Sequence, residues 1–535
     1  MERKRGLPKY FRPSLEYPDI PFHGMLEQSL RRVPDHVALI FGDEEITFRE
    51  LEALSNSFAH ALRGLGVRKG DRVSLFMFNR AEFVIAVYAI SKLGAVFTPL
   101  NPTFKEEETL YQHRDSGARV AIVHEAHYPI LRAVRGELKE LESVILVGDS
   151  STDGLPLFHE LLGEHPPSRP PAPSLTPSED LLALPYSSGT TGLPKGVMLT
   201  HRNLVSNYIQ FVANHRVTER DTVIVFLPLY HIFGTMIMGG SVYAGATQVL
   251  MERFNAEECL RLIEKHRVTL FYGVPPALLS LCECPVLKKF DLSSLRFIAS
   301  GAAFLPPEVR RRVEELTGVP TFMVYGLTEA SPVTHMNPYE PDLIEPSSIG
   351  PPVSDELQKV VEPESGEEVA RGEVGELVVR GPHVMKGYWR DEEETGRVLR
   401  DGWLYTGDLV TVDEDGYIFI KDRKKEMIKY KGFAVAPGEL EALLHRHPAV
   451  ADCAVTSKPD SEAGEIPKAF VVLKDGARAS ADEIMAFVAE HVAGYKRIRE
   501  VEFLDSIPKS ASGKILRRVL RDRDRERMES EGDRG

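Results

Sequence analysis

Cysteine is scarce in this sequence of 535 residues, which contains four, at positions 259, 282, 284 and 453. Their number and irregular spacing exclude the disulfide framework of a small secreted protein. Cys282 and Cys284 are separated by one residue, whereas a zinc knuckle needs two. We therefore predict that all four are reduced structural thiols.

Signals for export are also lacking. The first ten residues are basic, but no apolar segment follows them as it would in a secretory signal. The sequence ends in Gly-Asp-Arg-Gly rather than in the peroxisomal Ser-Lys-Leu. We therefore expect a cytoplasmic protein.

Charge is absent from residues 222–251, which contain no Asp, Glu, Lys or Arg and are long enough to span a bilayer. Pro228, His231 and four glycines interrupt this stretch. Such interruptions favour a strand, a turn and a helix that line a buried pocket. We therefore predict no transmembrane segment.

The chain has no excess of positive charge, because 65 basic residues are outnumbered by 79 acidic ones and the formal net charge is −14. This balance argues against broad binding to nucleic acid or to anionic membranes. The hydrophobic content of 43% and the charged content of 27% are ordinary for a globular protein. The length exceeds that of a single core, and we expect roughly three or four lobes.

Short apolar runs alternate with helical patterns over residues 36–120, which predicts an α/β protein with helices packed on parallel sheets. Residues 350–415 change to short strands between Gly and Pro turns, which predicts a small β-rich lobe. After a lysine-rich run at 421–431, helical and strand patterns predict a small α+β domain. We expect the mixed-charge C-terminal tail to fray.

The most informative segment is residues 186–201, which read Tyr-Ser-Ser-Gly-Thr-Thr-Gly-Leu-Pro-Lys-Gly-Val-Met-Leu-Thr-His. Its glycines permit close backbone approach, and its N–H groups, hydroxyls and Lys195 can bind an anion. The alternative is a solvated linker, which would not carry Pro-Lys-Gly or continue into an apolar run. It is not a Walker A loop, because Pro194 and Gly196 flank the lysine. We therefore predict a phosphate loop that does not imply γ-phosphoryl transfer.

With six further motifs in the same order, this loop resembles the signatures of the adenylate-forming superfamily. That group contains acyl-CoA synthetases, coumarate-type CoA ligases, luciferases and the adenylation domains of peptide synthetases. The further motifs are residues 230–234, 300–303, 325–329, 405–408, 422–426 and 508–514. The resemblance covers about residues 21–521 and is greatest to AMP-forming fatty-acid–CoA ligases, close to the coumarate type.

The resemblance implies an acid–thiol ligase that uses ATP, Mg²⁺ and coenzyme A. A carboxylate attacks the α-phosphorus of ATP to give an acyl-adenylate and pyrophosphate, and the thiol of CoA then displaces AMP. It also implies a large N-terminal domain of helix-flanked sheets with a β-rich lobe at residues 1–421. A hinge at 422–427 and a small mobile α+β domain at 428–535 follow.

Individual roles are implied in the same way. Lys514 matches the catalytic lysine that bridges the carboxylate and the α-phosphate, for which a surface lysine is the alternative. Thr190 and Glu329 match the magnesium-holding residues. The implied ATP- and AMP-binding residues are Ser187, Ser188, Gly189, Thr190, Thr191, Lys195, Ala302, Ala303, Tyr325, Gly326, Thr328, Asp408, Arg423 and Lys514. The implied catalytic residues are Lys514, His231, Glu329 and Lys195.

His231 lies in an apolar segment and is either a satisfied core histidine or, as the resemblance implies, a residue that gates or orients the acid. The implied acyl pocket consists of His231, Gly234, Met238, Gly301, Ala302 and Pro332. Small and apolar side chains suit an alkyl chain. We expect a medium- or long-chain fatty acid, with a 4-coumarate-type aryl acid or an inactive lipid- or nucleotide-binding homologue as alternatives.

Gly432 matches the glycine that lets the pantetheine arm of CoA pass, with Lys431 beside it, and Lys425 matches the hinge of the mobile domain. Two departures are expected to change nucleotide affinity or acyl preference. Met323-Val324 stands where relatives often carry Gln-Gly, and Ala434 stands where coumarate-type ligases have Gln. The exact acid and the oligomeric state, including a homodimer, stay open.

Overall fold

The computed structural model describes residues 13–171, 173–187, 193–423, 426–431, 433–460, 463–492, 494–510 and 513–532. The α-helices are α1 (His23–Arg32), α2 (Phe48–Gly64), α3 (Ala81–Lys92), α4 (Glu106–Ser116), α5 (Tyr128–Val134), α6 (Phe158–Glu164), α7 (His201–His215), α8 (Ile232–Ala244), α9 (Ala256–Lys265), α10 (Pro275–Glu283), α11 (Pro307–Thr317), α12 (Glu392–Val398), α13 (Pro437–Leu444), α14 (Ala481–His491) and α15 (Arg517–Gly532). Short 3₁₀ turns occupy Arg135–Glu137, Leu287–Lys289, Thr328–Ala330, Pro341–Leu343 and Gly494–Lys496.

The strands of the large N-terminal part are β1 (Val37–Phe41), β2 (Glu44–Thr47), β3 (Arg72–Phe76), β4 (Val96–Pro99), β5 (Ala118–His124), β6 (Ser143–Val147), β7 (Leu181–Ala183), β8 (Tyr186–Ser187), β9 (Lys195–Thr200), β10 (Thr222–Val225), β11 (Thr247–Leu250), β12 (Leu270–Gly273), β13 (Phe297–Ser300), β14 (Thr321–Gly326), β15 (Val333–Met336), β16 (Leu357–Val361), β17 (Gly375–Arg380), β18 (Gly387–Tyr388), β19 (Leu399–Arg400), β20 (Trp403–Val412) and β21 (Ile418–Arg423). The last part contains β22 (Ile428–Tyr430), β23 (Phe433–Val435), β24 (Val450–Asp460), β25 (Gly464–Leu473) and β26 (Glu500–Phe503).

Two large sheets form the centre of the molecule. The first has the order β15-β14-β13-β12-β10-β11-β1-β2 and is parallel except at its edge strands, β15 and β2. The second has the order β18-β9-β7-β4-β3-β5-β6, with β8 paired to β9. Helices cover these sheets, and side chains of both sheets belong to one buried apolar cluster. The α/β prediction is therefore confirmed.

Strand order brings distant motifs to one edge. Parallel strands point their carboxyl ends to the same edge of a sheet, which is where α/β proteins bind ligands. Strand β13 ends at Ser300 and the parallel strand β14 ends at Gly326, so the segments 301–303 and 327–329 lie at this edge. A candidate site therefore forms from residues that are far apart in sequence.

The third sheet has the order β16-β17-β20-β19, and β21 pairs with β20. It is the β-rich lobe that the Gly and Pro turns predict. The fourth has the order β23-β22-β25-β24, with β26 on β25, and helices α13 and α14 pack against it over a separate apolar cluster. The small α+β domain is confirmed as well.

Residues 222–251 form strand β10, helix α8 and strand β11, as the interruptions predict. Helix α8 is buried along nearly its whole length. Within the described residues, no helix has both the length and the hydropathy needed to cross a membrane.

The prediction that the C-terminal tail frays is wrong, because α15 continues to Gly532. Leu520 on this helix joins a small apolar cluster with Phe470 and Ile507. Asp524 lies 2.5 Å from the ammonium of buried Lys468. Tertiary contacts therefore stabilise a helix whose own sequence is dominated by charge.

Candidate active site

His231 lies at the N-terminus of α8, where its Nδ1 accepts a hydrogen bond from the backbone N–H of Phe233 at 3.3 Å. A neutral imidazole that accepts at Nδ1 carries its proton on Nε2. Loss of hydration, followed by the charge of Lys514, lowers the pKa of His231 to about 4. His231 is therefore a neutral Nε2–H donor at neutral pH.

The loop that carries Lys514 rests on the N-terminal part of the chain. The backbone N–H of Ser510 donates to the Lys514 carbonyl at 2.8 Å, and the Lys514 N–H donates to Ser510 Oγ at 3.1 Å. A Cβ atom added to Gly513 would lie 2.7 Å from Pro276 Cγ at the start of α10. This close approach and the electrostatic effect on His231 put Lys514 beside the carboxyl edge of the first sheet.

The surroundings of Gly301 are apolar and tightly packed. A Cβ atom at this position would lie 2.8 Å from Phe233 Cε1 and 3.0 Å from Val324 Cγ2. The next residue, Ala302, has a left-handed backbone with φ of 66°. Ala302 is exposed, and Ala303, which follows it, is half-buried. Glycine at 301 therefore lets Phe233 and Val324 pack directly against the main chain.

Two further glycines of the motifs are backbone contacts. A Cβ atom on Gly326 would lie 2.1 Å from the Pro332 carbonyl oxygen, and one on Gly234 would lie 2.2 Å from the Pro228 carbonyl oxygen. The Leu327 N–H donates to the same Pro332 oxygen at 2.9 Å. Both positions require glycine because the main chain of another segment packs directly against them.

Met238, a predicted acyl-pocket residue, is fully buried in α8.

Tyr325 and Asp408 meet although they are 83 residues apart, because the tyrosine hydroxyl donates to Asp408 Oδ2. Asp408 is almost fully buried, and its own N–H donates to Thr406 Oγ1 at 3.1 Å. Asp408 also pairs with Arg423 in the register of β20 and β21. The structure therefore brings three of the predicted nucleotide-binding residues together.

The phosphate loop leaves β8 and returns as β9, with Ser187 opposite Lys195. Ser188, Gly189, Thr190 and Thr191 lie outside the described residues. The Lys195 ammonium lies 3.1 Å from Asp391 Oδ2 and 3.4 Å from Glu394 Oε1. Hydrogen bonds from Arg397, followed by the charge of Lys195, lower the pKa of Glu394 to about 2. Lys195 is therefore held by ionised groups on and before α12.

Glu329 lies in the 3₁₀ turn Thr328–Ala330, directly after the Leu327 that follows β14. Its Oε1 accepts a hydrogen bond from the Tyr388 hydroxyl at 2.9 Å, and its carbonyl accepts one from the Met385 N–H at 2.8 Å. The Tyr388 ring lies 5.6 Å from the Lys195 ammonium. Glu329 and Lys195 therefore share a neighbour.

The predicted CoA and hinge residues are only partly described. Lys431 follows β22, and its N–H donates to the Ala463 carbonyl at 2.9 Å. The Lys431 ammonium lies 5.9 Å from the ring of Tyr430. Gly432 and Lys425 lie outside the described residues.

Tyr388, Asp391 and Glu394 are absent from the sequence-based predictions. The acidic run of residues 391–394 before a helical pattern was the available signal for the two acids, although such a run also suits an ordinary helix start. No local pattern marks Tyr388, because its partners lie on other elements.

The geometry combines a neutral imidazole donor, a nearby ammonium on the C-terminal loop, a buried Tyr–Asp pair and a glycine turn bordered by apolar side chains. Fixed donors and cations of this kind stabilise negative charge that develops in a reaction. The arrangement suits the joining of two anions beside apolar side chains.

Comparisons with known proteins agree with this geometry. Residues 26–389 match the family described as AMP-binding enzyme, and residues 439–514 match the AMP-binding enzyme C-terminal domain. The chain is 40% identical over 528 residues to a 4-coumarate–CoA ligase of Pinus taeda, with 96% of each chain covered. It is 37% identical over 535 residues to a long-chain-fatty-acid–CoA ligase of Bacillus subtilis (strain 168), with 95% of each covered.

Solved structures give the same result. The anthranilate CoA ligase AuaEII in complex with anthranoyl-AMP superposes with a TM-score of 0.89 at 34% identity, covering 96% of this chain and 98% of that one. ATP-bound MatB from Rhodopseudomonas palustris superposes with a TM-score of 0.87 at 29% identity, covering 94% and 99%. The chain belongs to the AMP-binding enzyme family and is an acid–thiol ligase that uses ATP and CoA and works through an acyl-adenylate.

Proposed function

We propose that the acid activated by this enzyme is a medium- or long-chain fatty acid. The observation that carries this proposal is the apolar packing of Phe233 and Val324 around Gly301, a predicted acyl-pocket residue. An alkyl chain gains free energy in such surroundings, at about 0.8 kcal/mol for each buried CH₂ group. A charged or hydroxylated tail would lose hydration there without compensation.

We also propose the roles of the reacting groups. Lys514 bridges the substrate carboxylate and the α-phosphate of ATP, and the Nε2–H of His231 orients the carboxylate. The support is the electrostatic effect of Lys514 on the pKa of His231 and the packing of Gly513 on Pro276. Donors that are held in place before reaction lower the barrier for a step that concentrates negative charge.

For the nucleotide, Tyr325 covers the adenine ring and Asp408 accepts from the ribose hydroxyls, with Arg423 beside it. Gly301, Ala302 and Ala303 border adenine and acyl group. Thr328 and Lys195 approach the phosphates together with the loop residues Ser187, Ser188, Gly189, Thr190 and Thr191. In this scheme the Lys195 ammonium leaves its ion pairs with Asp391 and Glu394 and pairs with a phosphate group of ATP.

The residues present fit a magnesium ion that accompanies ATP. Within the described part of the chain, no group of three His, Cys, Asp or Glu side chains could hold a metal ion. Mg²⁺ commonly takes one or two protein ligands and completes its shell with water and phosphate oxygens. Glu329 supplies a carboxylate for this purpose, and Thr190 is the proposed hydroxyl ligand. The ion would neutralise phosphate charge.

We propose the domain boundaries 1–421, 422–427 and 428–535, with rotation about Lys425 between the two half-reactions and CoA bound beside Lys431 and Gly432. Separate apolar clusters on the two sides of the hinge support independent movement. The hydrogen bond from the Gly438 N–H to Asp422 Oδ2 at 3.0 Å crosses this boundary and would have to adjust. The proposed compartment is the cytoplasm.

A second candidate substrate is an aryl or phenylpropenoic acid. It is favoured by the sequence identity to the Pinus taeda protein, which is named as a 4-coumarate–CoA ligase. The aromatic ring would stack against Phe233 in the same apolar surroundings.

The experiment is a carboxylate panel of octanoate, palmitate, 4-coumarate, benzoate and acetate, in which AMP and pyrophosphate are measured with and without CoA. The proposal predicts CoA-dependent AMP release that is greatest with octanoate or palmitate. If AMP release is greatest with 4-coumarate or benzoate, the substrate is an aryl acid and the fatty-acid proposal is wrong. Pyrophosphate release without CoA turnover would contradict the proposed second step.

A further inference from the structure

Residues 385–389 connect two parts of the candidate active site. The Met385 N–H donates to the Glu329 carbonyl at 2.8 Å, so one end of the segment is fixed to the 3₁₀ turn. The Lys386 N–H donates to the Met198 carbonyl at 2.9 Å and the Trp389 N–H to the Gly196 carbonyl at 2.8 Å. The segment therefore joins Glu329 to strand β9, which begins with Lys195.

The side chain of Tyr388 makes the same connection. It is 9% exposed, its hydroxyl donates to Glu329 Oε1 at 2.9 Å, and its ring lies 5.6 Å from the Lys195 ammonium. The hydroxyl is therefore a hydrogen-bond donor to one oxygen of the Glu329 carboxylate.

A hydrogen bond to an ionised carboxylate both stabilises and orients it. Glu329 stands on a turn of three residues, where its side-chain torsions are not fixed by a regular helix. The Tyr388 hydroxyl binds Oε1 of Glu329 and thereby sets the direction in which Oε2 of the same carboxylate points. Thr395 Oγ1 accepts from the Tyr388 N–H at 2.8 Å, which fixes the tyrosine backbone in turn.

We propose that Tyr388 is a positioning residue that holds the Glu329 carboxylate in the orientation needed for the magnesium ion of ATP. This inference rests on the proposed function in one respect, the role of Glu329 as a magnesium ligand. Tyr388 does not touch the substrate in this scheme. Its contribution is the pre-orientation of a metal ligand, and the cation–π contact keeps the Lys195 side chain on the same side of the ring.

The test uses the full chain with the substitution Tyr388→Phe, which removes the hydroxyl and keeps the ring. Mn²⁺ replaces Mg²⁺ as a spectroscopic probe, and electron paramagnetic resonance measures protein-bound Mn²⁺ in the presence of ATP. We expect the affinity for Mn²⁺ with ATP to fall about tenfold, the loss typical of one hydrogen bond to a charged group. Calorimetry in EDTA should give unchanged ATP affinity without metal. A higher Mg²⁺ concentration should restore ATP–pyrophosphate exchange.

Tyr128→Phe is the matched control. The Tyr128 hydroxyl donates to Asp153 Oδ2 at 2.8 Å, and the residue is 3% exposed, so the substitution removes a similar bond at a position outside the candidate site. Its Mn²⁺ affinity with ATP should equal that of the unaltered protein.

Three results would overturn the inference. Unchanged Mn²⁺ affinity in Tyr388→Phe would show that the hydroxyl does not position a metal ligand. An equal loss of ATP affinity with and without metal would show that the tyrosine only supports packing. If the unaltered protein binds ATP but holds no Mn²⁺ with it, the magnesium role of Glu329 fails as well. The acid specificity is tested separately by the carboxylate panel, because these binding measurements contain no acid.

Discussion

Removal of the Lys514 ammonium is predicted to stop the first half-reaction and to spare the second. The loop of Lys514 rests on Pro276, and the lysine charge reaches His231. Lys514→Ala should preserve the loop conformation, because the hydrogen bonds between residues 514 and 510 involve the main chain of Lys514 and not its side chain. The substitution therefore removes a positive charge and a hydrogen-bond donor and leaves the fold unchanged.

The magnitude follows from the position of this charge. Loss of one fixed donor to developing negative charge in a water-poor site costs about 2.7–4 kcal/mol, or a factor of about 10²–10³ in rate. We therefore expect ATP–pyrophosphate exchange to fall about 10²- to 10³-fold or more. Conversion of supplied acyl-adenylate and CoA to the thioester should stay within about threefold, because that step forms no bond to ATP.

Lys509→Ala is the matched control on the same loop. The Lys509 ammonium lies 2.6 Å from Asp452 Oδ2, inside the C-terminal part of the chain. The substitution thus removes a lysine charge and an ion pair from the loop without removing a group that affects His231. Both half-reactions should keep their rates in this variant.

A second measurement tests the position of Lys514 independently of activity. The pKa of His231 is lowered first by loss of hydration and then by Lys514. In Lys514→Ala it should rise but stay below the ordinary value of 6.5, which ¹³C-labelled histidine NMR can follow. Full exchange activity in Lys514→Ala, or equal loss of both half-reactions, would refute the assigned role. An unchanged His231 pKa would refute the proximity.

Three further predictions concern other parts of the chain. Tyr325→Phe removes the hydrogen bond to Asp408; the KM for ATP should rise about tenfold with the KM for the acid unchanged, and steady-state kinetics that show no change would contradict a nucleotide role. Gly301→Ala places a methyl group 2.8 Å from Phe233 Cε1; kcat/KM should fall about tenfold or more for the preferred acid and less for acetate, since overpacking costs about 1–3 kcal/mol. Burial lowers the pKa of His113 from 6.5 to about 4, so below pH 6.5 the unfolded chain binds a proton that the folded chain does not. Stability should therefore fall by about 1.4 kcal/mol per pH unit from this group as the pH drops from 6.5 towards 4. Over that pH range the apparent Tm of His113→Gln should fall less than that of the unaltered protein. An equal fall in Tm would contradict the assignment of His113 as a neutral buried histidine.

Local elements were predictable because their patterns are local. The helical periodicity of residues 48–62 corresponds to α2, and that of residues 481–491 corresponds to α14. Helix α14 also has a local start signal, the reciprocal hydrogen bonds of Ser480 and Glu483. The tail was not predictable in this way, because α15 depends on Lys468 and Phe470 of β25 rather than on an apolar stripe of its own.

The sequence by itself determined the family, the order of the motifs and the residue types that meet a nucleotide, because glycines, hydroxyls and charges at set spacings are properties of the chain. Only the tertiary structure decided which of these groups touch. The Tyr325–Asp408 bond depends on the alignment of β14 with the third sheet. The contact between Tyr388 and Glu329, and the ion pairs of Lys195 with Asp391 and Glu394, join elements that no local pattern relates. Hydrogen bonds and ion pairs act over a few ångströms in space, and sequence distance carries no information about them until strand order has been fixed.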